Sequence, residues 1–185
     1  YMAHDTHHHK ESFITKYIFS QDHKMIGKQY LLTAIFMGAI GITLSALFRM
    51  KLGWPDEKFP LLEAILGSDA APEGLLDSNW YLGLVTLHGT IMVFFVLTGG
   101  LSGTFSNLLI PLQIGARDMA SGLLNMIAYW LFFLSSLLMA ASLFIETGPA
   151  MAGWTVYPPL SVLAEFQPGS GLGMTLWLLS MTVFI

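Results

Sequence analysis

His88 is the one histidine set inside a long uncharged apolar run. An ionisable group at such a place is costly and tends to face a protein interior for a purpose. Two chemistries fit it: a neutral imidazole bonded to a neighbouring backbone carbonyl or hydroxyl, or a metal ligand, with haem iron a frequent client. Gly89 beside it removes a side chain and would let a flat macrocycle approach. Nineteen residues on, about 28 Å of helix, stands Asn107, followed by the Arg117-Asp118 pair and Asn125. Side-chain amides can hold a file of waters, and a carboxylate at its mouth can collect protons. The alternative is a solvated turn in which Asp118 pairs with Arg117 or caps the next helix. Arg49 ends an apolar run, where it either snorkels to headgroups or hydrogen-bonds a buried acceptor through a fork that cannot be deprotonated. Trp154 and Tyr157 suit an interfacial aromatic belt. His4, His7, His8 and His9 form a metal-binding tract, a tag remnant or a solvated tail, with Asp5, Lys10 and Glu11 interleaved.

Elements that position these groups follow from the gaps between charges. The chain has 185 residues, 54% hydrophobic and 11% charged, with a mean hydropathy of +0.63. Soluble domains carry about 25% charged residues, so an all-α polytopic membrane protein is expected. A net charge of −4 supplies no cationic field for nucleic acid. The absence of Cys excludes disulfides and Cys-ligated zinc, copper or iron–sulfur centres within this chain. Leu31–Phe48, Asn79–Ala116 and Met119–Ile145 are free of Asp, Glu, Lys and Arg over 18, 38 and 27 residues. A helix needs about 20 apolar residues to span the hydrocarbon core. Thr147–Ala164 is also uncharged, but Gly148, Pro149, Gly153 and Pro158-Pro159 make it a loop.

The expected order is an arm (1–27), helix one (28–50), an outer loop (51–80), helix two (81–115), a turn (116–120), helix three (121–146), a second outer loop (147–171) and the start of a truncated fourth helix (172–185). That last run covers about 21 Å, and Tyr1 precedes Met2, so a fragment of a longer chain is expected. Lys10, Lys16, Lys24, Lys28 and Arg117 fall on one side, against Arg49, Lys51 and Lys58 on the other. The positive-inside rule then puts the N-terminus and the Arg117-Asp118 turn in the cytoplasm. No secretory signal peptide and no internal repeat is evident.

Three segments resemble subunit I of haem-copper oxygen reductases, specifically the aa3-type cytochrome c oxidases. Phe19-Ser-Gln-Asp-His-Lys-Met-Ile-Gly-Lys-Gln-Tyr30 is similar to the opening of that family's first helix. His88-Gly-Thr-Ile-Met-Val-Phe-Phe95 with Asn107-Leu-Leu-Ile-Pro-Leu-Gln-Ile-Gly-Ala-Arg-Asp-Met119 resembles its second helix and inner turn. Gly153-Trp-Thr-Val-Tyr-Pro-Pro-Leu160 resembles the outer loop after helix three. The resemblance implies the first three of about twelve helices and part of the fourth. It implies that His88 is an axial ligand of a low-spin haem iron, haem a, with Arg49 bonding its formyl group, Tyr81 nearby and Trp154 near its propionates. Asp118 would stand at the mouth of the D proton channel, lined by Asn107, Asn125 and Tyr30.

The resemblance further implies a high-spin haem and copper in the complete subunit, a binuclear copper on subunit II, and a subunit III. Lys51 stands where many relatives have a cation-binding glutamate, so that site is not expected. The quinol-oxidising branch has polar residues at positions that are here Ile40, Leu44, Trp80 and Gly83, so cytochrome c or a cytochrome c domain is the expected donor. The expected function is oxidation of cytochrome c with reduction of O2 to water and proton pumping, in a bacterial inner membrane, with a possible supercomplex with a quinol-oxidising complex. A quinol oxidase is the alternative within the family. A transporter half or assembly subunit with a structural histidine is the alternative outside it.

Overall fold

Asp22 accepts the Lys24 amide at 3.3 Å and so starts helix α1 at His23. In this computed structural model, which describes residues 12–145, 148–163, 165 and 171–185, α1 runs His23–Gly53. The polar turn His23–Gly27 is therefore helical, although hydropathy alone assigns it to the arm: the cap, not the apolar run, sets where a helix begins. A short π turn, Ile14–Ile18, precedes it and is fastened by Gln29 Nε2, which donates to the Tyr17 and Ile18 carbonyls at 2.8 and 3.0 Å. The first loop contains a further helix, α2 (Pro60–Leu66), with Pro60 in the first turn where its missing N–H is not needed.

Asp77 caps the third helix by accepting from the Asn79 and Trp80 amides. That helix, α3, extends Ser78–Ile114. Its middle, Ile91–Leu101, is π-helical and begins three residues after His88. π turns inside α-helices concentrate at functional places. Gly115, at φ +69°, ends α3 in the left-handed conformation that glycine adopts without strain. Ser121 accepts from the Leu124 amide to start α4 (Gly122–Phe144), and α5 covers Leu172–Phe184. The described residues are all-helical and loop, with no strand.

α3 packs along the length of α1, α5 along α4, and α4 also meets α1. Phe95, fully buried, joins the pairs through ring contacts to Phe132 and Phe184 at 6.0 and 5.3 Å. Trp177 Nε1 donates to Thr90 Oγ1 at 3.0 Å, and Ser180 Oγ to the Ser135 carbonyl at 2.7 Å, so the polar groups in this seam are satisfied. α1, α3 and α4 are each long and apolar enough to cross a membrane. Large side chains such as Leu32, Ile35 and Phe36 cover their outer faces. The loop after α4 is tucked back into the bundle: Pro149 presses on Gly83, Ala150, Met151 and Ala152 are buried, and the Gly153 amide donates to Thr86 Oγ1 at 3.0 Å.

Candidate functional site

At one end of the bundle, His88 Nδ1 lies 2.8 Å from the Gly41 carbonyl of α1. A carbonyl only accepts, so Nδ1 carries the proton and Nε2 keeps a free lone pair. A ring held this way serves a structural histidine and equally a metal-binding imidazole, whose second nitrogen is fixed by a backbone acceptor. Glycine at 41 leaves room for Met92, whose Sδ would lie 2.8 Å from a Cβ there and would have to shift. Phe48 meets the imidazole edge-on at 5.5 Å, and Tyr81 meets Phe48 at 6.0 Å. Trp154 closes over the bare backbone of Gly89, where a Cβ would sit 3.3 Å from its ring, and contacts Phe94. Tyr81 and His88 thus lie about two turns apart on one helix and are bridged by Phe48, with Trp154 on the glycine that follows the histidine. Arg49, next to Phe48, is exposed and makes no hydrogen bond among the described residues. Trp154 and Tyr157 are both largely exposed. A half-buried imidazole with Nδ1 held by a carbonyl and Nε2 unbonded among the described residues fits the haem iron that the sequence implies, with Trp154 over Gly89 at its side.

At the other end, Asn125 Nδ2 on α4 donates to Asn107 Oδ1 on α3 at 2.5 Å, and Asn107 Nδ2 donates to the Gly103 carbonyl at 2.8 Å. Asn107 is buried. The Tyr30 ring lies flat against Gly103, where a Cβ would come within 2.6 Å. Tyr30 also meets the Tyr129 and Phe132 rings, and Tyr129 is hydrogen-bonded to Thr33 at 3.3 Å. The two asparagines therefore bridge α3 and α4, and Tyr30 of α1 packs one turn away on Gly103, with no hydrogen bond to either among the described residues.

Asp118 sits in the α3–α4 turn and neither pairs with Arg117 nor caps α4, a role Ser121 fills. Its Oδ1 accepts from the Met119 amide at 2.7 Å and the His23 amide at 3.3 Å, and lies 3.0 Å from His23 Nδ1. Partial burial pushes the carboxyl up, but the Met119 amide and the His23 ring and amide outweigh it and hold it below the ordinary carboxylate range. Asp118 has no direct bond to Asn107 or Asn125.

His23 is the residue that the motif reading quoted without a role. It is seven positions before Tyr30 and four before Gly27, hence on one face of α1. That periodicity was the available signal. Gly41 and Gly103 gave none, because their work is done by a carbonyl and a missing side chain. Ile40, Leu44 and Trp80 line a cavity of about 600 Å³ between α1, the first loop and the end of α4. Gly83 is closed off by Pro149. His4, His7, His8 and His9 lie outside the described residues.

A membrane-spanning helical chain with an imidazole ligand geometry at one end and a carboxylate and amides at the other has a counterpart among known families. The family described as Cytochrome C and Quinol oxidase polypeptide I matches residues 25–185. The chain belongs to this family, that of haem-copper oxidase subunit I. It is similar to the alternative cytochrome c oxidase subunit 1 of Bradyrhizobium diazoefficiens, at 41% identity over 96% of the chain and 27% of the relative. It is also similar to the heme-copper oxidase subunit I+III of Aeropyrum pernix, at 37% identity over 93% of the chain and 19% of the relative. A probable quinol oxidase subunit 1 of Staphylococcus aureus is 40% identical over 83% of the chain and 20% of the relative. The chain thus spans 19% to 27% of the length of these curated relatives.

Proposed function

We propose that this chain forms the haem-binding and proton-admitting part of subunit I in an aa3-type cytochrome c oxidase of a bacterial inner membrane. The observation that carries the reading is the His88–Gly41 hydrogen bond, which presents Nε2 as a ligand. His88 would hold a low-spin haem, haem a, with Trp154 over Gly89, Tyr81 beside Phe48, and Arg49 free to bond the macrocycle's edge. The group supplies one-electron transfer when bound. The residues of this chain would hold and orient it: the Gly41 carbonyl fixes the His88 ring and would add electron density to Nε2, and Trp154 covers Gly89 beside it. Protons enter at Asp118 and pass waters ordered by Asn107, Asn125 and Tyr30. The high-spin haem and copper that reduce O2 belong to helices beyond this chain, and the binuclear copper to subunit II. Subunit III, the bilayer and a supercomplex with a quinol-oxidising complex complete the proposed setting.

A quinol oxidase is the second reading, favoured by the Staphylococcus relative and by the cavity at Ile40, Leu44 and Trp80. Ile40 and Leu44 offer no hydrogen bond where the quinol-oxidising branch has polar groups, which supports cytochrome c as donor, while Thr43, Ser68 and Asp69 elsewhere in the cavity favour the second reading. A subunit II copper centre co-purifying with the complex supports the first reading, and its absence the second. The deciding experiment is a reduced-minus-oxidised visible spectrum of the purified complex, wild type beside His88→Ala. Loss of the low-spin haem band is expected. An unchanged haem spectrum would make His88 structural and place the low-spin haem's ligand elsewhere in the subunit.

A further inference from the structure

His23 is 2% exposed, yet its ring is aimed at an acid on another element. A carboxylate donates nothing, so the proton in this contact sits on Nδ1. Nε2, on the far side of the ring, is buried and without a partner among the described residues. Asp22 Oδ1, 3.6 Å from Nδ1, is beyond hydrogen-bond range and caps the helix instead. Arg117, the neighbouring cation on the turn, forms no ion pair among the described residues, so the His23 ring is the one side chain that grips Asp118 there. All three donors converge on Oδ1, and Oδ2 accepts from no group among the described residues. The Asp118 side chain is 46% exposed, so Oδ2 can meet water.

We infer that His23 is a positioning residue for proton uptake: its ring and backbone N–H clamp Oδ1 of Asp118, turning Oδ2 into the single proton-accepting edge, and the ring itself conducts no proton. The inference rests on the reading of Asp118 as the proton entrance. A relay through the ring would need both nitrogens connected to donors or water, and Nε2 is sealed. The clamp also ties the start of α1 to the α3–α4 turn, two elements 95 residues apart in sequence.

The test uses the intact oxidase complex with His23→Asn, His23→Gln, His23→Leu and Asp118→Asn. An Asn amide N–H takes the place of Nδ1–H, whereas a Gln amide reaches toward the Nε2 side and Leu offers no donor. His23→Asn is expected to keep the wild-type rate of proton uptake and its pH profile. His23→Gln and His23→Leu are expected to slow uptake about twofold, because the carboxylate torsion is broad and roughly two-fold once the ring no longer holds one edge. The acid limb of their profile should move to higher pH, because a carboxylate that loses a donor is protonated more readily. An unchanged haem spectrum reports assembly, and Gln and Asn keep the comparison between polar variants should Leu fail to assemble. Equal slowing in His23→Asn and His23→Leu would mean that the ring carries the proton, and wild-type behaviour in His23→Gln would mean that no clamp operates; either overturns the inference. A wild-type rate in Asp118→Asn would instead remove the entrance reading on which it rests.

Discussion

At His88 the Gly41 carbonyl keeps a proton on Nδ1, whereas at Asp118 three N–H donors keep a proton away from Oδ1. The first leaves a nitrogen free to bind a metal; the second leaves an acid ionised and ready to accept. Asp118→Asn removes the titratable group while preserving shape, so turnover and proton uptake should fall with the haem spectrum intact. A stopped-flow uptake assay reads this directly. The depressed Asp118 carboxyl also makes a stability prediction. Its contribution is fully present above the ordinary carboxylate value and is lost as pH falls through the lower folded value. Thermal unfolding in detergent across that acidic window should show a wild-type loss that Asp118→Asn lacks.

Between α1 and α3 the fit depends on absent side chains. Tyr30 lies on Gly103 and Met92 on Gly41, so that the helices approach closely, as small residues permit in membranes. Gly103→Ala would drive a Cβ to 2.6 Å from the Tyr30 ring, which is held by Tyr129 and Phe132 and cannot swing away. Overpacking of this kind costs about 1–3 kcal/mol. The melting temperature in detergent should drop, and the Asn107 amide, bonded to the Gly103 carbonyl, should lose its place. Gly53→Ala is the control, since nothing lies within 4 Å of a Cβ there, and it should be neutral. The apolar gaps and the Gly and Pro residues of the loop after α4 were readable from sequence. The π stretch Ile91–Leu101 was not, because its composition is that of any apolar helix.

Across the whole molecule the two sites sit at different levels of α1, Asp118 against its first residue His23 and His88 against Gly41, just past its midpoint. Eighteen residues separate these positions, about 27 Å of helix, which suits electron chemistry near one membrane face and proton uptake at the other. The proposed orientation puts Arg117 inside and Lys58 outside. Since the chain has no Cys, single Arg117→Cys and Lys58→Cys variants can be labelled with a membrane-impermeant maleimide. On spheroplasts, Lys58→Cys should react and Arg117→Cys should react only after lysis. The opposite pattern would invert the topology.

Composition and charge spacing by themselves determined that this is a membrane helix bundle, and the ordered motifs around His88, Asn107 and Asp118 determined its family. Those features are local in the chain and survive without knowledge of contacts. Which helix faces are buried was decided only by the tertiary structure, because in a membrane the outward surface is as apolar as the core and leaves no periodic contrast to read. The partners of the two key side chains were decided there as well. His88 is fixed by the carbonyl of a glycine 47 positions away, and Asp118 by a histidine 95 positions away. A carbonyl has no side-chain identity to betray it, and a hydrogen bond between distant turns exists only once packing has brought them within 3 Å.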